Sequence, residues 1–85
     1  MHELTLLTRP GCHLCDDARD VVTRVLGELE VEASAPVGRL EERSIVDDPE
    51  LLARYAEEIP VLMIDGRVHN IWRVDPERLR AALTA

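Results

Sequence analysis

No stretch of this chain approaches the ~20 consecutive apolar residues that a helix needs to cross a bilayer. The first residues enter a short strand pattern without a basic head or a small-residue cleavage site, so no secretory leader is expected. A cytosolic setting is the expectation. Positive charge is also scarce. Ten arginines and no lysine stand against 17 acidic residues, for a net charge of -7 over 85 residues. That deficit argues against nucleic acid, which binds a basic face, and against anionic membrane surfaces. The chain carries one tryptophan, Trp72, and one tyrosine, Tyr55. It has no internal repeat, linker or low-complexity tract, so residues 1–85 are expected to form one domain and, most simply, a monomer. A domain this small buries roughly 60% of its unfolded surface, which leaves its stability modest.

Cysteine is almost absent as well. The two that remain, Cys12 and Cys15, form a C-x-x-C pair in the run Thr8-Arg9-Pro10-Gly11-Cys12-His13-Leu14-Cys15. Closing so short a loop removes little entropy from the unfolded chain, so a Cys12–Cys15 bond would be a poor staple. Chemistry explains the pair better than stability does. In a cytosolic protein, exposed cysteine pairs are catalytic, redox-sensing or metal-binding.

The surrounding pattern places this pair. Leu4 and Leu6 alternate with polar neighbours and Leu7 follows, which predicts a strand over residues 3–8. Pro10-Gly11 break it. Leu14, Ala18, Val21, Val22, Val25, Leu26 and Leu29 then recur in steps of three and four, predicting an amphipathic helix over residues 13–29. Ser34, Pro36 and Gly38 predict a loop within 30–39, although Val31 could extend the helix. Leu40 to Val46 predicts a second, partly exposed strand. Asp48-Pro49-Glu50 has the form of a helix start, with Asp as N-cap and Pro at the first helical position. Leu51, Leu52, Tyr55 and Ala56 would be the buried side of that helix. The apolar run 59–64 predicts a strand covered on both faces. Asp65-Gly66 is a two-residue hairpin signal, answered by a strand over 67–72. Asp75-Pro76-Glu77 repeats the helix-start device, and Leu79, Ala82 and Leu83 would bury the last helix. The order is β-α-β-α-β-β-α, an α/β fold.

The dithiol therefore falls at a strand-to-helix junction. The thiolate is the nucleophile in disulfide exchange, and a free cysteine with a pKa near 8.5 is mostly protonated at neutral pH. At a helix N-terminus the unpaired N–H groups and the positive end of the macrodipole stabilise S⁻. Cysteines so placed have pKa values of roughly 3.5–7.5. Cys12, at the helix start, is expected to attack, and Cys15, one turn in, to resolve the mixed disulfide. Arg9 and Arg19 could add positive potential near Cys12, while Asp16 and Asp17 would oppose it. His13 is expected to be exposed and to tune the thiolate when protonated. A zinc site would need two further ligands from His2, His13 and His69, which are badly spaced for it.

The chain resembles the glutaredoxin-like members of the thioredoxin superfamily over nearly its whole length. The resemblance rests on the Thr8–Cys15 run, on Ile59-Pro60 before an apolar strand, and on Asp65-Gly66. It implies a four-stranded mixed sheet with helices on both faces and a thiol–disulfide oxidoreductase acting through Cys12 and Cys15. It also implies a cis peptide at Ile59–Pro60, facing Cys12. Substrate contacts would come from Arg9, Pro10, Gly11, His13, Leu14, Ile59 and Pro60. No metal or cofactor is implied, and a low-molecular-weight thiol such as glutathione would be a co-substrate. Arg9 matches the basic residue that pairs with a glutathione carboxylate. Ile71-Trp72-Arg73-Val74-Asp75 lacks the family's Gly-Gly step, which leaves glutathione, another small thiol and a protein disulfide all open as substrate. Trp72 is expected to pack at the sheet edge, with a substrate platform as the other reading. Two further functions stay open: a redox-sensing or binding module, and metal or iron–sulfur binding through Cys12.

Overall fold

The first strand, β1 (His2–Thr8), sends its side chains to two different cores. Leu4 and Leu6 join one apolar cluster and Leu7 joins another, as the two-residue period of a strand requires. The computed structural model describes residues 1–84; Ala85, the last residue of the expected single domain, lies outside the described residues. After β1 come α1 (His13–Ala33), β2 (Gly38–Ser44), a 3₁₀ turn (Ile45–Asp47), α2 (Pro49–Tyr55), β3 (Val61–Ile64), β4 (Arg67–Ile71) and α3 (Pro76–Thr84). The strands form one mixed sheet in the order β2-β1-β3-β4. The β1–β2 pair is parallel, with Leu4 opposite Leu40, and the other two pairs are antiparallel, with Leu6 opposite Leu62.

Helices cover both faces. On one, α1 contributes Ala18, Val22, Val25, Leu26 and Leu29, and α3 contributes Leu79 and Leu83, packed on Leu4, Leu6 and Leu62. On the other, Leu7 and Val61 meet Ile45, Tyr55, Ile59 and Cys15. The architecture is the expected thioredoxin-like α/β fold. No helix among the described residues is long and apolar enough to cross a membrane.

The helix starts are capped by the residues that announce them. Asp48 Oδ1 accepts from the N–H groups of Glu50 (3.0 Å) and Leu51 (3.3 Å). Asp75 Oδ1 accepts from Glu77 (2.9 Å) and Arg78 (3.4 Å). The Asp65-Gly66 turn has φ of +51° and +83°, the left-handed pair that a tight hairpin needs.

Several boundaries differ from the expectation. α1 runs past residue 29 to Ala33, and its Glu28 and Glu32 pair with Arg80 of α3 at 3.3 and 2.9 Å. It stops where Ser34 turns left-handed (φ +55°). Ile45 and Val46 leave the sheet for the 3₁₀ turn, which sinks Ile45 into the second core and leaves Val46 exposed. Leu52 of α2 and Ala56 at its C-cap are exposed, not buried. That short helix meets the core through Tyr55, with Leu51 half-buried. β3 is fully covered only at Val61 and Leu62, and Ala82 of α3 is half-buried. β4 ends at Ile71, one residue early, since Trp72 is left-handed (φ +65°). β2, at one edge of the sheet, exposes Arg39, Glu41, Glu42 and Arg43.

Candidate active site

Gly11, with φ +71°, turns the chain from β1 into α1, a backbone state that an L side chain reaches only at a cost. Pro10 and Gly11 are exposed. Cys12 is the N-cap of α1, in an extended conformation. Its Sγ accepts the N–H of Cys15 at 3.0 Å, and its carbonyl accepts the N–H of Asp16 at 3.2 Å. Sulfur thus takes the position that an oxygen of Ser or Asp takes at an ordinary N-cap. Cys12 and Cys15 are joined as a disulfide with their Cα atoms 5.2 Å apart, inside the 4.4–6.8 Å span such bonds allow.

The two sulfurs are unequal. Cys15 is 1% exposed, enclosed with Leu7, Ile45, Tyr55, Ile59 and Val61, whereas Cys12 is half-buried at the border of that cluster. Ile59 belongs to the same cluster, and the Ile59–Pro60 peptide is cis. Pro60 is fully buried. Among the described residues, neither backbone polar group of Ile59 has a hydrogen-bond partner.

Of the remaining residues singled out in the sequence, Arg9 and His13 are exposed and Leu14 is half-buried. Arg9 forms no ion pair among the described residues. Arg19 does not bring free positive charge to the dithiol. Its guanidinium grips Glu42 with two bonds of 2.7 Å and Asp16 with one of 2.8 Å. Those bonds, Glu42 first and then Asp16, raise its already high pKa further. Two carboxylates against one guanidinium leave the Arg19 cluster with a net negative charge, so Arg19 offers no surplus positive charge to Cys12.

His2 is occupied elsewhere, bonded to Asp65 at 2.8 Å. Desolvation by burial, then the nearby Arg78, pushes the pKa of His69 down. Among the described residues, no three His, Cys, Asp or Glu side chains gather in a way that could hold a metal ion.

Trp72 departs from the expected packing role. It is 52% exposed. Its indole N–H donates to the Glu57 carbonyl at 3.1 Å, and its backbone N–H donates to the Pro60 carbonyl at 2.8 Å. The side-chain amide of Asn70 donates to the Arg73 carbonyl, and the Arg73 N–H returns to Ile71 O at 2.8 Å. These bonds fold the 71–73 segment against the Pro60 loop. Trp72, Arg73 and Val74 then form one wall of a cleft of about 170 Å³, and Leu14, Asp17, Ala18 and Val21 of α1 form the other. The sequence marks the 71–75 segment as lacking a Gly-Gly step and offers a substrate platform as the second reading of Trp72. It had no signal for the cleft, which joins residues more than 50 positions apart.

Comparison with known proteins agrees with this geometry. Residues 3–84 match the model of the family described as "Glutaredoxin-like domain (DUF836)". A structural-genomics target protein from X. campestris, solved by X-ray crystallography, is 34% identical; the alignment covers 95% of each chain with a TM-score of 0.74. A glutaredoxin-like protein of Dictyostelium discoideum is 30% identical over 80 residues, 89% of this chain and 69% of that protein. Thioredoxin from Fasciola hepatica, at 18% identity and a TM-score of 0.53, covers 98% of this chain and 78% of its own, and shares the fold. The chain therefore belongs to the glutaredoxin-like family, with a thioredoxin fold and a cysteine pair at disulfide distance.

Proposed function

We propose that this protein is a thiol–disulfide oxidoreductase that reduces a disulfide through Cys12 and Cys15. The observation that carries the proposal is the bond from the Cys15 N–H to Cys12 Sγ at the start of a 21-residue helix. In the reduced protein that donor and the helix dipole stabilise negative charge on Cys12.

The Cys12 thiolate attacks one sulfur of the substrate disulfide. A Cys12–substrate bond forms and the other substrate sulfur leaves as a thiolate, which takes up a proton from water. Cys15 then loses its proton and attacks Cys12 Sγ. The Cys12–Cys15 disulfide forms, and the second substrate thiolate leaves and is protonated. The substrate gains two electrons and two protons, and the dithiol loses them. Two molecules of an external thiol, glutathione or another of low molecular weight, return them: the first opens the Cys12–Cys15 disulfide to a mixed disulfide, the second displaces the cysteine, and the two leave joined as their own disulfide. The open backbone of Ile59 supports the docking of an extended segment beside the dithiol, with Arg9, Pro10, Gly11, His13 and Leu14 as further contacts. A cytosolic location, with its supply of reduced thiols, fits this direction of electron flow.

The test is disulfide reduction by wild type, Cys12→Ser and Cys15→Ser. Cys12→Ser is expected to be inactive, and Cys15→Ser to accumulate a mixed disulfide on Cys12, visible by mass spectrometry of adducts from cell extract. Full activity of Cys12→Ser overturns the assignment.

A further inference from the structure

We propose that Trp72 is a specificity-determining residue, and that its cleft receives the apolar side chain flanking a reactive cysteine in a polypeptide disulfide. This rests on the oxidoreductase reading and names the substrate class of the same site.

Four observations support it. First, Leu14, part of one wall of the cleft, lies in the first turn of α1, the helix that Cys12 caps, so the cleft begins at the end of the helix that carries the dithiol. Second, the walls are mostly apolar (Leu14, Ala18, Val21, Val74 and the indole), and about 170 Å³ admits a single large side chain. Third, Trp72 holds a left-handed backbone that bulky residues avoid. It is pinned there by bonds from both its indole and its backbone, while half its surface faces solvent. Costly conformations of this kind persist where a binding surface needs them.

The fourth observation is charge. Asp17 and Arg73, of opposite sign, both line the cleft, and the chain as a whole carries -7. An acidic ligand is therefore repelled at long range and finds at the cleft an anion as well as a cation. An uncharged side chain on a neutral or basic polypeptide meets no such barrier.

The experiment compares two peptide disulfides of net positive charge, identical except for Leu or Ser beside the cysteine, with bis(2-hydroxyethyl) disulfide as a substrate too small to reach the cleft. Wild type is expected to prefer the Leu peptide in kcat/KM by on the order of tenfold, mainly through KM, since the contact persists from ground to transition state. Trp72→Gly relieves the backbone at φ +65° and removes the indole. It is expected to abolish the preference, bringing the Leu and Ser peptides to the same kcat/KM when each is referred to the rate with the small disulfide. Trp72→Phe, which keeps a ring, is expected to retain most of the preference.

Binding is measured separately on the oxidised protein, by fluorescence anisotropy of S-methylated, fluorescein-labelled peptides of the same two sequences. The same Leu-over-Ser ratio is expected there without any turnover. Equal affinity for the two peptides, or a preference that survives Trp72→Gly, overturns the proposal even if all three disulfides are reduced. A failure to reduce any disulfide, with the binding preference intact and dependent on Trp72, instead overturns the oxidoreductase reading and leaves the cleft assignment standing.

Discussion

Replacing Cys12 by Ser and by Ala separates its role as helix cap from its role as nucleophile. In both variants the disulfide is gone, and neither can attack a substrate. Ser retains an acceptor for the Cys15 N–H that Cys12 Sγ now receives at 3.0 Å; Ala does not. The carbonyl bond to Asp16 is common to both. Loss of an N-cap acceptor costs about 0.5–2 kcal/mol. With an unfolding entropy of about 2.1 cal/mol/K per residue, this chain has about 180 cal/mol/K at its midpoint, so 1 kcal/mol moves Tm by about 5–6 °C. Cys12→Ala is therefore expected to melt about 3–11 °C below Cys12→Ser, followed by circular dichroism at 222 nm under reducing conditions. The same amide that stabilises the Ser oxygen stabilises a thiolate in the reduced wild type. Iodoacetamide at neutral pH should consequently label Cys12 well before Cys15, which is enclosed by apolar side chains. If Cys12→Ala proved as stable as Cys12→Ser, the Cys15 amide would have no demand for a partner, and the argument for an activated Cys12 would fail with it.

Gly38→Ala is expected to cost about 1–3 kcal/mol, measured by urea unfolding. An added Cβ would stand 2.8 Å from Leu4 Cδ1, 3.1 Å from the His2 carbonyl oxygen and 3.3 Å from Leu26 Cδ2. Asp48→Ala and Asp75→Ala should each lower stability by about 1 kcal/mol through their lost caps, with no change in Cys12 labelling rate. Arg19→Gln is expected to leave that labelling rate within about twofold, because the Arg19, Asp16 and Glu42 side chains are solvent-exposed and water and salt screen the change in charge. The N–H of Glu3 first, and then His2, hold the Asp65 carboxylate below its ordinary 3.8. A depressed value in the folded state gives a contribution that is complete above 3.8 and lost as pH falls through the folded value. Asp65→Asn should accordingly flatten the slope of stability against pH below about 4; an unchanged slope would refute the pairing.

The parts legible in the sequence are those governed by near neighbours. Asp48 and Asp75 cap the helices their Asp-Pro-Glu runs announce, because a cap needs only the next three residues. Leu4, Leu6 and Leu7 divide between two cores by strand alternation alone. Pro10-Gly11 and the periodicity after Leu14 were enough to put the cysteine pair at the mouth of α1. What was missed depends on distant partners. Arg80 pairs with Glu28 and Glu32 of α1 from about 50 residues away. Ile45 abandons its strand propensity for a place under α2. Glu42 reaches back across 23 positions to Arg19. Trp72 is turned outward by carbonyls at 57 and 60. None of these contacts leaves a periodic mark on the residues involved.

The open margins of the sheet are not equally inviting to a stray chain. A foreign segment zipping onto β2 would have to strip water from Arg39, Glu41, Glu42 and Arg43, a heavy toll for a few main-chain bonds. On the opposite margin, β4 shows Val68 to solvent with Arg67 as its sole fixed charge. Clumping in heated or crowded samples should nucleate along that softer border, and a lysine at position 68 would be the economical guard against it.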